Sequence, residues 1–163
     1  WTAHNLLATD HKITVIVRNE NKLKTIFGES FSKFHNVIIM DLQASVELYE
    51  SKGGENPFEK ILEGVDILIN TVGPTILHDI NHSRIIDVVT NKLLVDGSKK
   101  HNVEKFILVT SKMITRPDAF ASFILNTLVG NCLAHKLEAE NYLRESGLNY
   151  TIVRPGALKG EKE

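Results

Sequence analysis

The chain is 163 residues long, with 42% hydrophobic residues, 24% charged residues and a formal net charge of −1. That length holds one domain with a real core and not two large ones, and the near-neutral charge gives no basis for bulk nucleic-acid binding or a polybasic membrane anchor. Cys132 is the only cysteine, which rules out an internal disulfide and a cysteine-based zinc site.

In chain order, NLLATD reads as the tail of a helix and KITVIV as a strand that stops at Arg18-Asn19. ENKLKTIFG is a short amphipathic helix closed by Gly28, and NVIIMD is a second strand. QASVELYESKGGENP is a polar stretch with Gly53-Gly54 and Asn56-Pro57 as turn signals. FEKILEG makes one or two helical turns, and VDILINTVGP is a third strand. Ile85, Ile86, Val89, Leu93 and Leu94 follow helical spacing across residues 81–101, and VEKFILVTS is a fourth strand. A long helix is predicted from about Ala119 to Ser146, with a break near Gly130, before NYTIVRPG as a fifth strand. Its most apolar part, residues 119–134, contains Ser122, Asn126, Thr127 and Asn131. It is also shorter than the ~20 residues of a spanning helix, so it reads as a buried or interface helix, with membrane contact peripheral if any.

Short strands that are apolar at nearly every position, alternating with helices, predict an α/β fold with a doubly wound parallel sheet. In such a sheet ligands sit beyond the carboxyl ends of the strands. The residues found there are Arg18-Asn19, Asp41-Leu42, Val72-Gly73-Pro74, Thr110-Ser111-Lys112 and Arg154-Pro155-Gly156. The glycine-rich dinucleotide fingerprint that should follow the first strand is not in the chain. In the order 3-2-1-4-5-6 strand 1 is central, and its loss would leave backbone groups unpaired at ~1 to 3 kcal/mol each. The expectation is therefore a single nucleotide-binding domain over 1–163, with a strand and glycine loop preceding Trp1 and further chain after Glu163.

ITVIVRNENK, Asp41 after a strand, LEGVDILINTVG, VEKFILVTS and HKLEAENYLRESGLNYTIVRPGAL together resemble an atypical short-chain dehydrogenase/reductase with an NAD(P)-binding Rossmann domain of the NmrA-like kind. The likeness covers nearly the whole chain and is strongest toward plastid members that act as redox sensors. It implies that Arg18, with Asn19, meets the adenosine ribose, where a basic residue tolerates the 2′-phosphate, so NADP is expected over NAD. It implies further that Asp41, beside Leu42, accepts from the adenine amino group. Thr71, Val72, Gly73 and Pro74 would pass under the cofactor, where glycine allows close approach, with Thr110 at the next strand end. Pro155, Gly156 and Ala157 would flank the nicotinamide end. Plain alternatives stand beside each: an exposed charge for Arg18, a helix cap for Asp41, and ordinary turns for the loops.

The resemblance also implies a catalytic set, in which a hydroxyl polarises a carbonyl and a tyrosine passes a proton. A lysine four residues after the tyrosine tunes it and holds the nicotinamide ribose. Ser111 matches the hydroxyl and Lys136 the lysine, but Cys132 stands at the tyrosine position, and a thiol is a weaker donor. Ser111 also reads as a turn hydroxyl, Lys136 as a solvated helix charge, and Cys132 as a small buried residue. Tyr142 and Tyr150 do not substitute by spacing. His78 and His82 are four apart with Asp79 and Asp87 nearby, but a metal site needs a third ligand and fixed geometry, and none is assigned.

The expected function is NADP(H) binding. It would serve reduction of a small carbonyl or quinone-like substrate, or redox sensing; the alternative is a non-catalytic assembly or regulatory subunit that binds nucleotide weakly or not at all. A second protein or a second copy would dock through the 119–146 helix. Plastid or another organelle is the expected location, cytoplasm the alternative.

Overall fold

The computed structural model describes residues 2–74, 80–115 and 131–156, which fall into two compact units, Trp1–Ser45 and Val46–Glu163. In the first unit, α1 (Thr2–Leu6) leads to β1 (Thr14–Val17), α2 (Glu20–Phe27), a 3-10 turn over Gly28–Lys33 and β2 (Asn36–Ile39). β1 and β2 pair in parallel, Thr14 opposite Asn36 through Val17 opposite Ile39. Both ends of α2 are marked in the sequence. Asn19 caps it by accepting a hydrogen bond from the Lys22 backbone N–H, and Gly28 ends it at φ +50°, a conformation that favours glycine. Leu7, Leu23 and Phe34 form the buried centre, with Val15, Val17, Phe27 and Phe31 packed around it. Each such side chain taken out of water contributes roughly 1.5–3 kcal/mol.

α3 (Leu42–Lys52) occupies the stretch that composition marks only as polar. Val46 is its single buried residue, so the apolar stripe is too thin to show as periodicity. Asp41 accepts from the Ala44 backbone N–H and caps it, and Gly53 and Gly54, both at positive φ, stop it.

The second unit continues with α4 (Glu59–Leu62), β3 (Ile67–Asn70), and a helical run built of α5 (Ile80–Ser83), a π-helical turn (Arg84–Val89) and α6 (Thr90–Lys100). Then come β4 (Lys105–Val109), a 3-10 turn over Lys112–Thr115, α7 (Cys132–Glu145) and β5 (Tyr150–Val153). β3, β4 and β5 form a three-stranded parallel sheet in that order. All pairing seen in both units is parallel, as strand composition predicts. The strands are less covered than that composition suggests: Ile39, Ile67 and Val153 are 61%, 51% and 43% exposed. Among the described residues β2, β3 and β5, which carry those side chains, each have a ladder partner on one side, and their apolar residues are less enclosed than those of β4, which is paired on both sides and buries Phe106 and Leu108.

The helical run 80–100 is enclosed on most of its surface. Ile85, Ile86, Val88, Leu93, Leu94 and Val95 are buried, and so are Asp87, Thr90, Asn91 and Ser98, while Val89 is half-buried. The simple amphipathic spacing expected for this stretch is blurred because Asp87, Thr90 and Asn91 on the buried side carry their own bonds. In the π turn the Thr90 N–H reaches back to the Ile85 carbonyl, and the Thr90 hydroxyl donates to the same oxygen at 2.9 Å. The predicted 119–146 helix is described only from Cys132 onward; its earlier part lies outside the described residues.

Candidate nucleotide site

At the carboxyl end of β1, an open groove of about 240 Å³ is lined by Val17, Arg18, Asn19, Lys22, Leu23 and Ile26. Arg18 and Lys22 are both exposed, and no hydrogen bond or ion pair joins either side chain to another described residue. Asn19 and Asp41, at the tips of β1 and β2, each spend one side-chain oxygen on capping the following helix. Asp41 is exposed, and Leu42 opens α3.

The tips of β3, β4 and β5 meet in the second unit. Asn70, the buried last residue of β3, organises the loop after it. Its Oδ1 accepts from the Val72 N–H at 3.1 Å, and its amide donates to Asn91 Oδ1, whose own amide donates to the Ala139 carbonyl. This three-residue connection ties β3 to α6 and α7. Its only trace in the sequence is an asparagine ending an otherwise apolar strand. Thr71 and Gly73 are exposed; Val72 and Pro74 are half-buried.

Lys136 projects from α7 toward this loop. A Cβ placed on Gly73 would lie 3.5 Å from its ammonium, so the glycine leaves the nitrogen open on that side. The ammonium donates to Asp87 Oδ1 at 2.6 Å, and the two side chains are only 15% and 3% exposed. Burial pushes the Asp87 carboxyl above its ordinary range, more than Lys136 and Ser83 draw it down. A cavity of about 10 Å³, at the lower limit of what holds one water, lies between Asp87, Lys136, Asn70 and Thr110. Asp87 is thus the partner of Lys136. Sequence spacing could not show this, because Asp87 and Lys136 are 49 residues apart.

The other predicted residues are drawn into structural bonds. The Ser111 hydroxyl accepts from the Met113 N–H, opening the 3-10 turn. Thr110 continues the β4–β5 ladder through its N–H to the Val153 carbonyl, and its hydroxyl donates to Glu140 Oε1 at 2.6 Å. The Pro155 carbonyl accepts from the Lys112 N–H, and Gly156 is exposed. Ala157 lies outside the described residues. Arg154 donates to both oxygens of Glu140, which is fully buried on α7 and also binds Arg144. Burial raises the Glu140 carboxyl, but Arg154, Thr110 and Arg144 outweigh it and hold it below the usual carboxylate range.

Cys132 is buried one turn before Lys136, and burial pushes its thiol up, away from ready ionisation. The Tyr142 hydroxyl donates a hydrogen bond to Asp96 Oδ1 at 2.7 Å, and that bond pushes the tyrosine pKa up to about 12. The tyrosine therefore works between α6 and α7. Among the described residues no group of three His, Cys, Asp or Glu could hold a metal ion, and no helix is long and apolar enough to cross a membrane.

Parallel strands alternating with helices give an α/β fold of Rossmann type. The family model described as NAD(P)H-binding matches residues 2–163, and the chain belongs to that family. The chain is 45% identical over 83 residues to Protein TIC 62, chloroplastic, of Arabidopsis thaliana, a match covering 51% of this chain and 13% of that protein. It is 40% identical over 73 residues to sanguinarine reductase of Eschscholzia californica, covering 45% of this chain and 26% of the enzyme. These matches thus span about a quarter or less of the relatives' own length. Among solved structures, a putative NAD-dependent epimerase/dehydratase from Bacillus halodurans superposes with a TM-score of 0.71 at 22% identity, over 96% of this chain and 64% of that one. That likeness shows the fold.

Proposed function

We propose that the chain is the nucleotide-binding part of an NADP(H)-dependent reductase acting on a small carbonyl or quinone-like substrate. The observation that carries the reading is the Lys136 ammonium, held by Asp87 beside Gly73 in a chain of the NAD(P)H-binding family. In this reading Lys136 binds the nicotinamide ribose, Gly73 with Thr71, Val72 and Pro74 passes under the cofactor, and Pro155, Gly156 and Ala157 flank its nicotinamide end. Thr110 and Ser111 line the same strand ends, Ser111 facing the substrate carbonyl. Arg18 with Asn19 takes the 2′-phosphate, and Asp41, beside Leu42, takes the adenine amino group. The guanidinium of Arg18, unpaired among the described residues and on an open groove, supports NADP over NAD, because a planar fork suits a phosphate. When bound, the cofactor supplies the hydride, and the protein's part is to bind, orient and keep the proton supply in place. Plastid residence is proposed because the name of TIC 62 carries the word chloroplastic.

A second reading is favoured by one observation: the tyrosine position holds a buried thiol. Under it the chain binds NADP(H) without turning it over and reports cofactor state to a protein partner docked through the 119–146 helix. Titration of the full-length protein with NADPH and with NADH tests the common ground. Tight NADPH binding that Arg18→Asp weakens at least tenfold is the expected result; equal or absent binding of both cofactors overturns it. Oxidation of NADPH by a quinone or an aldehyde, abolished in Lys136→Met, selects the reductase; binding without oxidation selects the sensor.

A further inference from the structure

The Asp87–Lys136 pair does not end at Asp87. Oδ2 of Asp87 accepts from the Ser83 hydroxyl at 3.3 Å, and the Ser83 oxygen lies 2.9 Å from Nδ1 of His135. Ser83 is 1% exposed, whereas His135 is half-buried on the rim of α7. Four side chains from two helical segments thus make one continuous line from the strand tips to solvent. Satisfying the buried carboxylate accounts for the Ser83 bond to Oδ2, and the further step from Ser83 to His135 carries the line to the rim.

We propose that Asp87, Ser83 and His135 form a proton path that refills Lys136 from solvent. The direction follows from counting hydrogens. A serine hydroxyl has one proton. If Ser83 donates it to Asp87 Oδ2, its oxygen must accept from Nδ1–H of His135. Once Lys136 has given up its proton, a proton arriving at Nε2 of His135 lets the Nδ1 proton move to Ser83 and the Ser83 proton to the Asp87 carboxylate at Oδ2. Rotation of the resulting carboxyl group carries that same proton to Lys136, and a turn of the half-buried ring with exchange at the rim restores Nδ1–H. The path rests on the proposed reductase reading for its purpose. Reduction of a carbonyl by a bound dihydronicotinamide moves a hydride to carbon and consumes one proton at oxygen; Lys136 gives that proton and the path returns it. Such a route does what the thiol at position 132 is poorly suited to do. Among the described residues, the titratable and charged groups on the two helical segments that carry the path include Cys132, which feels Asp87 and Lys136, the buried His82, Arg84 paired with Glu50, and Lys92 paired with Glu138.

The test begins with the free full-length protein. Nitrogen-15 NMR of the His135 ring is expected to show the Nδ1–H tautomer when the ring is neutral, and Ser83→Ala should lose it. The Nε2–H tautomer in the wild type overturns the path, because Ser83 would then give its one proton to His135 and none to Asp87. The second arm is turnover. Ser83→Ala and His135→Gln should each lower kcat by about 10²-fold with KM for NADPH within threefold of wild type, and added imidazole should restore His135→Ala. Unchanged kcat in both variants overturns the path even with the expected tautomer. If Ser83→Ala does not fold, His135→Gln at the protein's rim carries the same arm. Absence of NADPH binding or turnover defeats the reductase reading, and with it the path's role in reduction; the tautomer arm then still decides whether the connection exists.

Discussion

Ser98 shows how a single polar atom can be placed at a loss. Its side chain is fully buried, and its hydroxyl has no hydrogen-bond partner among the described residues. An unsatisfied buried hydroxyl costs about 1–3 kcal/mol, and replacing it by a methyl-sized group removes that cost. Ser98→Ala is therefore expected to raise stability by about 1 kcal/mol, read as a higher urea midpoint at unchanged slope. Lys136, Asp41 and Asn19 make the opposite point. The sequence identified all three as candidates, and the capping alternative for Asp41 is realised in its bond to Ala44. Their residue type and position at element ends were visible; what each side chain holds was not.

Between elements, two contacts decide how the second unit packs. Gly97 lets α6 approach α4: a Cβ there would meet Leu62 Cδ1 at 2.6 Å, and Leu62 is itself 2% exposed. Gly97→Ala forces that buried leucine to move. It should destabilise by about 1–3 kcal/mol despite alanine's better helix propensity, and Leu62→Ala in the same chain should relieve part of the strain. Glu140 is the other contact, joining α7 to the exits of β4 and β5 through Thr110 and Arg154. Its folded carboxyl sits below the ordinary range, so as pH falls the unfolded state takes up the proton first. The stabilisation is fully present above the unfolded pKa, ~4.3, and is lost as pH drops through the lower folded value. Glu140→Gln leaves two guanidinium groups without their carboxylate. Because Arg144 and Arg154 are each about a third exposed, the loss at pH 7 should fall at the low end for a broken buried pair, about 3 kcal/mol. The variant's stability should also vary less with pH on the acid side, as thermal melts between pH 3 and 7 would show.

For the molecule as a whole, cofactor binding is the measurable property. A ligand that binds the folded state alone stabilises it by RT ln(1 + [L]/Kd), about 2.7 kcal/mol at a hundredfold excess over Kd. At roughly 2–4 °C per kcal/mol for a protein of this size, NADPH should raise the melting temperature of the full-length protein by roughly 5–10 °C. NADH at the same concentration should raise it less, and the difference should shrink in Arg18→Asp. Equal shifts with both cofactors would remove the 2′-phosphate role from Arg18.

The order of the five strands and the residues at their tips were determined by the sequence alone, because hydrophobic period, glycine stops and capping residues act over a few neighbours, and their parallel pairing followed from the alternation of strands with helices. The eleven residues of α3 escaped notice because one buried valine leaves almost no stripe to see. The π turn escaped because nothing in its composition marks it. Tertiary structure alone decided that Lys136 meets Asp87, that Arg154 and Thr110 meet Glu140, that Tyr142 meets Asp96, and that Ser83 and His135 extend the lysine's bond toward solvent. Each of these bonds except Arg154–Glu140 spans at least 30 residues, and they exist only because α5, the π turn, α6 and α7 gather beside the tips of β3 and β4. A buried charge must find its partner wherever the fold brings one, and that choice is made in space, not along the chain.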